Sequence, residues 1–558
     1  MQGTMDENSM NPKTSTVLIV GAGPTGMTAA LELSRLHIPV RIVEKMAAPA
    51  PSSRAVGVHS RTMELFEQRG LAPSMLEKGN QGIALSYYAQ GKRVFRLQFS
   101  HNSSDYGYML FLSQADTESV LRNALQKQGV EIEREVEFVA FSQSDRDANS
   151  GHAVKAILKH KDGSLEGFDC AYLIDTEGAH SVCRTTMGVP FKGTTRDENY
   201  ALGDLHVDGD VLAETDAHVF SSEDGVMALF PLRGDRYRFV AANSPSASSK
   251  SPPSLDELQK IFDQRSHFPA RLHDMTWSSR FRINSRMVDQ LRVGRVLFGG
   301  DSAHVHSPAG AQGMNTGIQD MINLSWKLAF VLKGKADPKL LDTYTDDRIP
   351  VIRDVLSRTE GLTDVMGSKN RTFRSVFSLI TPWVLGVDLV QRNATETMSQ
   401  LALNYRSSPI SESHGKKISG REIQAGDRIP NVKKVKVVPM VIGKEGEETS
   451  ESEHESLFSV LSSDKFTLLF ANLTKPKDTY RSVESTFAPW KSLMQVYSIA
   501  PTSDQDQLFR RVFGTQGSLL LARPDSYVAF VGTDQSLDAL AKYLNSWFPV
   551  EKQTDQHS

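Results

Sequence analysis

An α/β fold built on a doubly wound nucleotide-binding layer is predicted for this chain by three observations. Val17–Val20 is a continuous apolar run of the length of a buried parallel strand. Gly21, Gly23 and Gly26 follow it in the spacing GxGxxG, where strand gives way to an amphipathic helical stretch. A second strand–loop–helix unit returns far downstream: Val296-Leu297-Phe298-Gly299-Gly300-Asp301, a loop to Gly313, and a helical run from about Met314 to Lys333. The nucleotide-binding layer is therefore discontinuous in sequence, with a sheet-rich insertion between its parts and a small α/β domain after it.

The first unit has a physical logic at each position. The first glycine permits a tight turn and the second lets a pyrophosphate approach the backbone. The third, with Ala30 four residues on, lets helix and strand pack closely. The helix N-terminus offers free N–H groups to the phosphates. Val40–Val43 is the next strand, and Glu44 at its end is placed to accept both hydroxyls of an adenosine ribose while repelling a 2′-phosphate. The site suits FAD or NAD rather than NADP.

At 558 residues the chain has room for two or more domains and a large core. Its 63 basic and 66 acidic residues nearly balance, which gives no signal for nucleic acid or an anionic membrane. Cys170 and Cys183 are the only cysteines, with no CxxC and no metal-ligand cluster, so a reducing compartment, two buried thiols and no metal are expected. The first fifteen residues lack an apolar signal-peptide core. Val376–Val390, interrupted by Pro382 and Asp388, is too short to span a bilayer and reads as a buried helical region. A cytoplasmic location is expected.

Helical spacing marks Arg61–Arg69, the stretch from Gln114 (Val120, Leu121, Ala124 and Leu125 inward), Leu255–Gln264, and Pro338–Arg358 with a break near Pro350. Val136–Phe141 and Val154–His160 read as paired strands, and Tyr172-Leu173-Ile174 as a short buried one. Met227, Leu229 and Phe230 are pocket candidates by position and equally plain core. Residues 1–190 and 285–406 are assigned to the nucleotide-binding domain, 191–284 to the β-rich substrate domain, 407–420 to a polar linker, and 421–558 to the last domain. In that domain Gly443–Glu455 reads as a solvated acidic loop.

The block Gly294–Ala329 resembles the second FAD fingerprint of the flavin-dependent aromatic hydroxylases, in their phenol-hydroxylase-like branch. The resemblance extends over Gly21–Glu44, Arg54–Gly70, Gln114–Arg122 and Glu177–Arg184, and into the last domain through Gly426–Pro430 and Arg523-Pro524-Asp525-Ser526-Tyr527-Val528. It implies a Rossmann-like FAD domain, an inserted β-rich substrate domain and a C-terminal thioredoxin-like domain, here without redox cysteines, that serves packing or homodimer formation. It implies non-covalent FAD, with Asp301 on the ribityl chain, Arg54 and Gln114 at the pyrophosphate and ribityl region, Pro308 beside the isoalloxazine, and Gly313, Met314 and Asn315 presenting N–H groups to the pyrimidine edge. The last role also follows from the positive end of a helix facing the charge of a reduced flavin.

The implied reaction consumes NADPH or NADH and O2, and transfers one oxygen through a flavin C4a-hydroperoxide to a phenolic or polyketide-type aromatic. Epoxidation and Baeyer–Villiger insertion are the alternatives, with a non-catalytic flavoprotein behind them. Two positions depart from the family. Its Asp-Gly motif, tied to FAD and nicotinamide binding, is Glu177-Gly178 here, and the aspartate that several phenol-hydroxylating relatives carry after the Arg-Ala pair is Val56. Valine takes no proton, so the base lies elsewhere or the substrate needs none. His304 and His306, in the flavin loop, are weak catalytic candidates beside Pro308, with a structural role the commoner fate of such residues.

Overall fold

The computed structural model describes residues 16–49, 55–144, 154–209, 212–242, 251–307, 310–367, 387–415, 417–440, 450–473, 476–503 and 506–549. It divides into two compact units. One comprises Met1–Glu64, Leu71–Ile322 and Ile349–Leu401, the other Leu65–Gly70, Asn323–Arg348 and Ala402–Ser558.

In the first unit a six-stranded sheet runs Arg292–Val293, Val296–Phe298, Tyr172–Asp175, Val17–Val20, Val40–Glu44, Ile132–Arg134. Val17–Val20 lies at its centre, parallel to both neighbours and buried on both faces, which is why its sequence is uniformly apolar. Helix α1 (Pro24–Arg35) leaves the glycine turn with proline in its first turn, where a missing N–H costs nothing. Helix α2 (Gln114–Lys127) is capped by the Ser113 hydroxyl, which accepts the Asp116 N–H. It buries Val120, Leu121 and Leu125 and packs on α1.

The insertion forms an eight-stranded sheet in the order His304–Val305, Arg271–Met287, Lys192–Asp208, Arg236–Ala242, Gly225–Pro231, Asp216–Ser222, Ala84–Ala89, Lys92–Gln98. Its last two strands come from well upstream of the insertion. Strand alternation gives the sheet two characters. One face, with Leu205, Phe220, Met227, Leu229, Phe239 and Ala241, is covered by Leu258, Ile261 and Phe262 of helix α3 (Leu255–Ser266). The other carries Tyr200, Leu202, Val240, Trp277 and Phe281. Met227 and Leu229 are thus core beneath α3. Phe230 turns to the opposite side, its ring 5.7 Å from that of Phe111.

Helix α4 (Gly313–Leu332) is buried along most of its length, including Ile318, Met321, Ile322, Trp326 and Leu328. Helix α5 (Asp342–Gly367) runs on through Pro350, so the expected break does not occur. The proline removes one backbone bond, while Ile349, Val351, Ile352 and Val355 are buried around it. Burial worth about 1.5–3 kcal/mol per side chain outweighs a defect of about 3 kcal/mol.

The second unit holds a seven-stranded sheet. Phe466–Ala471 and Met494–Pro501 are parallel strands joined by the helix Pro476–Phe487. The antiparallel pair Ser518–Ala522 and Val528–Thr533 follows, then the helix Leu537–Trp547, which is the thioredoxin-like arrangement. The loop expected over Gly443–Glu455 needs correction at its end. Ser452–Ser456 is a polar edge strand against Lys433–Pro439, and 443–449 lie outside the described residues. Most of Val376–Val390 lies outside them as well. Among the described residues no helix is long and apolar enough to cross a membrane.

The Arg523-Pro524-Asp525 segment belongs to a fully buried charge network in this unit. Asp347 Oδ2 accepts from Lys327 Nζ (2.7 Å), Arg523 Nη2 (2.7 Å) and Asn323 Nδ2 (2.8 Å), and Arg523 Nε donates to Asp525 Oδ1 (2.9 Å). Burial by itself would raise the Asp347 carboxyl, but the charges of Arg523 and Lys327 overcome it and hold the group well below the usual carboxylate range. We predict that Asp347→Asn, which leaves two buried cations with too little counter-charge, costs about 3–5 kcal/mol. Because the folded-state pKa is depressed, this contribution is complete above the unfolded value of about 4 and fades as pH falls below it. Thermal unfolding of both proteins from neutral pH to about pH 3 should show the gap in melting temperature closing on the acid side.

Candidate active site

The three glycines of the first turn differ in what surrounds them. Gly21 has a φ of +99°, and a Cβ there would lie 2.4 Å from the Thr176 carbonyl oxygen. A Cβ on Gly26 would lie 1.9 Å from the Gly21 carbonyl oxygen and 2.6 Å from Thr176 Oγ1. A Cβ on Gly23 would meet nothing within 4 Å. Gly21 and Gly26 are thus demanded by the fold, whereas Gly23 keeps open a space at the N-terminus of α1. An open cradle with unpaired helix N–H groups is what a pyrophosphate requires. Glu44 stands beside it, Oε2 accepting the Ala22 N–H at 2.9 Å and Oε1 the Met46 N–H at 2.9 Å. Each oxygen keeps a lone-pair direction for a ribose hydroxyl.

Thr25, which the sequence reading did not single out, joins this turn to the second fingerprint. A Cβ on Gly300 would lie 2.5 Å from Thr25 Oγ1, and one on Gly317 would lie 2.4 Å from the same atom and 3.1 Å from Gly300 Cα. The first turn of α1, the turn Gly300–Ser302 and the start of α4 therefore meet around one hydroxyl. Asp301 is exposed on that turn, whose backbone is held from behind. Arg184 Nη1 donates to the Ser302 carbonyl at 2.8 Å, and Ser302 Oγ to the Asp175 carbonyl at 2.7 Å.

At the N-terminus of α4, Gly313 and Met314 are half-buried and Asn315 is fully buried. The Asn315 amide accepts the His59 N–H at 3.0 Å and donates to the carbonyls of Gly57 and Ala311, both at 2.9 Å. His59 Nε2 lies 2.8 Å from the Gly310 carbonyl, and burial lowers this imidazole to about 4, so it is neutral at pH 7. Asn315 and His59 thus stitch the start of α4 to the strand Gly57–Val58. Gln114 opens α2 close by, its N–H donating to the Ala55 carbonyl at 3.2 Å. Arg54 and Pro308 lie outside the described residues.

The two loop histidines are each engaged. His304 Nε2 is 2.7 Å from Asp320 Oδ2, both side chains fully buried, and Asp320 also accepts the Gly300 N–H. His306 Nδ1 is 2.8 Å from the Ser307 carbonyl, and burial lowers it to about 4. Its Nε2, next to Gly313, is buried without a partner among the described residues. Glu177 Oε2 accepts the Cys183 N–H at 3.1 Å, its extra methylene spent on that reach. Burial, with the neighbouring charge of Glu177, pushes the fully buried Asp175 up to about 7. Val56 is buried at 5 % exposure. Among the described residues no three His, Cys, Asp or Glu side chains are placed to hold a metal.

Comparison with known proteins agrees with this geometry. Residues 14–359 match the FAD binding domain family, and residues 445–549 match the aromatic-ring hydroxylase C-terminal domain. The chain belongs to the FAD-dependent aromatic-ring hydroxylases, and it is a monooxygenase with FAD as its cofactor. It is 33% identical over 412 residues to 6-methylpretetramide 4-monooxygenase of Streptomyces rimosus, 72% of each chain. It is 30% identical over 545 residues to an uncharacterized aromatic compound monooxygenase of Bacillus subtilis, covering 96% of this chain and 98% of the relative. The solved anhydrotetracycline hydroxylase of Streptomyces rimosus superposes with a TM-score of 0.73 at 25% identity, over 96% of this chain and 99% of that one.

The contrast among the glycines gives a direct test. Gly26→Ala should lower the melting temperature of the FAD-free protein sharply. Gly23→Ala should leave it nearly unchanged and weaken FAD binding, read by flavin fluorescence on titration. Glu44→Arg should weaken FAD binding about a hundredfold, the about 3 kcal/mol expected for two charge-assisted bonds to a ribose. A change below about threefold would show that Glu44 does not reach the ribose.

Proposed function

We propose that this monooxygenase hydroxylates a phenolic or polyketide-type aromatic small molecule, drawing electrons from NADPH or NADH and one oxygen atom from O2. The observation that carries the reading is the meeting of both fingerprints around Thr25, where the first turn of α1, with its open Gly23 and neighbouring Glu44, lies against the turn that carries Asp301 and the start of α4. When bound there, FAD supplies electron transfer from the nicotinamide and activation of oxygen. Gly21, Gly23 and Gly26 with Glu44 hold the adenosine diphosphate half, Arg54 and Gln114 adjoin the pyrophosphate and ribityl region, and Asp301 takes a ribityl hydroxyl. Gly313, Met314 and Asn315 direct N–H groups at the pyrimidine edge, with Pro308 beside the ring system.

The sheet face opposite α3 supplies the roof. Leu202, Val240, Phe230 and Trp277 keep water from the reacting atoms, and its contacts reach the segment that carries Val56. Hydroxylation is favoured over epoxidation or Baeyer–Villiger insertion because the named relatives include an anhydrotetracycline hydroxylase and a 6-methylpretetramide monooxygenase. Glu177 is occupied as a cap, so the nicotinamide docks without it. Cys170 and Cys183 are buried, and burial pushes the Cys170 thiol up to about 12, so thiol chemistry has no part in the cycle.

The test is substrate-dependent NADPH oxidation, with product analysis, over a panel of phenols and polyketide aromatics. Within that panel, phenols of similar size and graded acidity should show rates rising steeply with acidity in the wild type. General-base catalysis is worth about 10²–10⁴-fold, so Val56→Asp should flatten the dependence by accelerating the least acidic members. Equally shallow dependence in both proteins would overturn the reading of Val56 as a missing base.

A further inference from the structure

The face of the eight-stranded sheet that meets the Val56 segment carries, beside its apolar cluster of Tyr200, Leu202, Val240, Trp277 and Phe281, one buried ion pair. Arg238 is 0 % exposed. Its Nε pairs with Asp204 Oδ1, and its Nη2 donates to Asp204 Oδ2 at 2.9 Å. Trp277 Nε1 donates to the same Asp204 oxygen at 2.8 Å, and the guanidinium carbon lies 4.9 Å from the Trp277 ring centroid. Strand register builds the group, because Asp204 is paired with Arg238 on one side and with Trp277 on the other. The remaining guanidinium nitrogen, Nη1, donates to the Ala55 carbonyl at 3.4 Å. Ala55 immediately precedes Val56, and its carbonyl also takes the Gln114 N–H.

This arrangement has a direction. Asp204 occupies one edge of the guanidinium, and the other end points at the Ala55–Val56 backbone. The end of the guanidinium that Asp204 leaves open therefore lies against the Ala55 carbonyl, the backbone group that precedes Val56. Stability does not demand such a network. Replacing a buried ion pair by apolar side chains of similar volume is often neutral or stabilising, and an apolar cluster already lies beside this pair on the same face.

We propose that Arg238, fixed by Asp204 and Trp277, is a positioning and specificity-determining residue that holds the Ala55–Val56 backbone and favours a substrate whose reacting ring bears its oxygen as an anion beside Val56. A fixed pole of charge there does by electrostatics what valine cannot do by proton transfer. The inference rests on the reading of the chain as an aromatic hydroxylase and narrows its substrate class to acidic phenols, those that are polyhydroxylated or conjugated to a carbonyl. Arg238 acts at one remove, through its field and through the Ala55 carbonyl.

The test uses the FAD-loaded enzyme and alizarin, a hydroxyanthraquinone whose visible spectrum reports its ionisation. Difference spectra across pH give the acidity of the bound dye in the wild type, in Arg238→Lys, and in Arg238→Met/Asp204→Leu, which removes both poles and leaves no orphaned charge. Wild type should bind the dye with its acidity raised about tenfold or more over the free dye, one pKa unit. The double variant should abolish that shift, and Arg238→Lys should keep only part of it. Unchanged dye acidity between wild type and a folded, FAD-loaded double variant overturns the inference alone. Should the double variant fail to fold, Arg238→Lys decides, and an undiminished shift in it is equally fatal. If wild type binds neither alizarin nor any phenol of the panel, the reading of the substrate class falls and takes this inference with it.

Discussion

One threonine hydroxyl sets the separation on which the FAD half of this molecule depends. Thr25 Oγ1 occupies the space that side chains at Gly300 and Gly317 would need, and a side chain at Gly26 would collide with the Gly21 carbonyl. These approaches are closer than any Cβ allows, so a methyl group at one of the crowded positions forces helix, turn and strand apart. Since interiors are packed to crystal-like density, that displacement has nowhere to go except into the site. The open position at Gly23 then has a clear meaning. It is the one glycine of the turn whose missing side chain answers no close approach within the protein.

Around that constraint the polar groups sort by what their neighbours leave them. His304 is taken up by Asp320, Asn315 by Gly57 and Ala311, and Glu177 by the Cys183 N–H. Each is a chemically capable side chain whose hydrogen-bonding capacity goes into fixing a loop. Glu44 is shared between the turn and the space beside it. Burial shapes protonation in the same region. The neutral states of His59 and His306 follow first from the loss of water, and the raised Asp175 from burial with the charge of Glu177 added to it.

The buried networks around Asp347 and Asp204 work differently. In the second unit Asp347 serves two cations, and the charges of Lys327, Arg523 and Asp525 close on one another between the helices and the thioredoxin-like sheet. Every one of these side chains is buried, and the network specifies how that unit is assembled. Arg238 and Asp204 are also buried, but their pair is oriented, one end satisfied within the sheet and the other meeting the backbone beside Val56. A closed network serves the fold, and an oriented one is available to act on what binds.

The sequence by itself determined the fold class, the two fingerprints and the order of the elements, because these rest on local signals. An apolar run, a glycine spacing and an acidic residue at a strand end declare themselves within some thirty residues. Even α5, where local chemistry predicted a break at Pro350, follows a rule that burial overrode. What the tertiary structure alone decided were the partners. Thr25 is an ordinary helix residue until Gly300 and Gly317 are brought against it. Met227, Leu229 and Phe230 could not be divided between core and pocket until strand register assigned their faces and α3 covered one of them. Arg238 carried no signal among the chain's other arginines, since its meaning depends on Asp204 and Trp277 lying across from it in the sheet. Periodicity and spacing encode which face a residue takes within its own element. They do not encode which element comes to lie against that face, and the chemistry of a buried polar group is set by its neighbour.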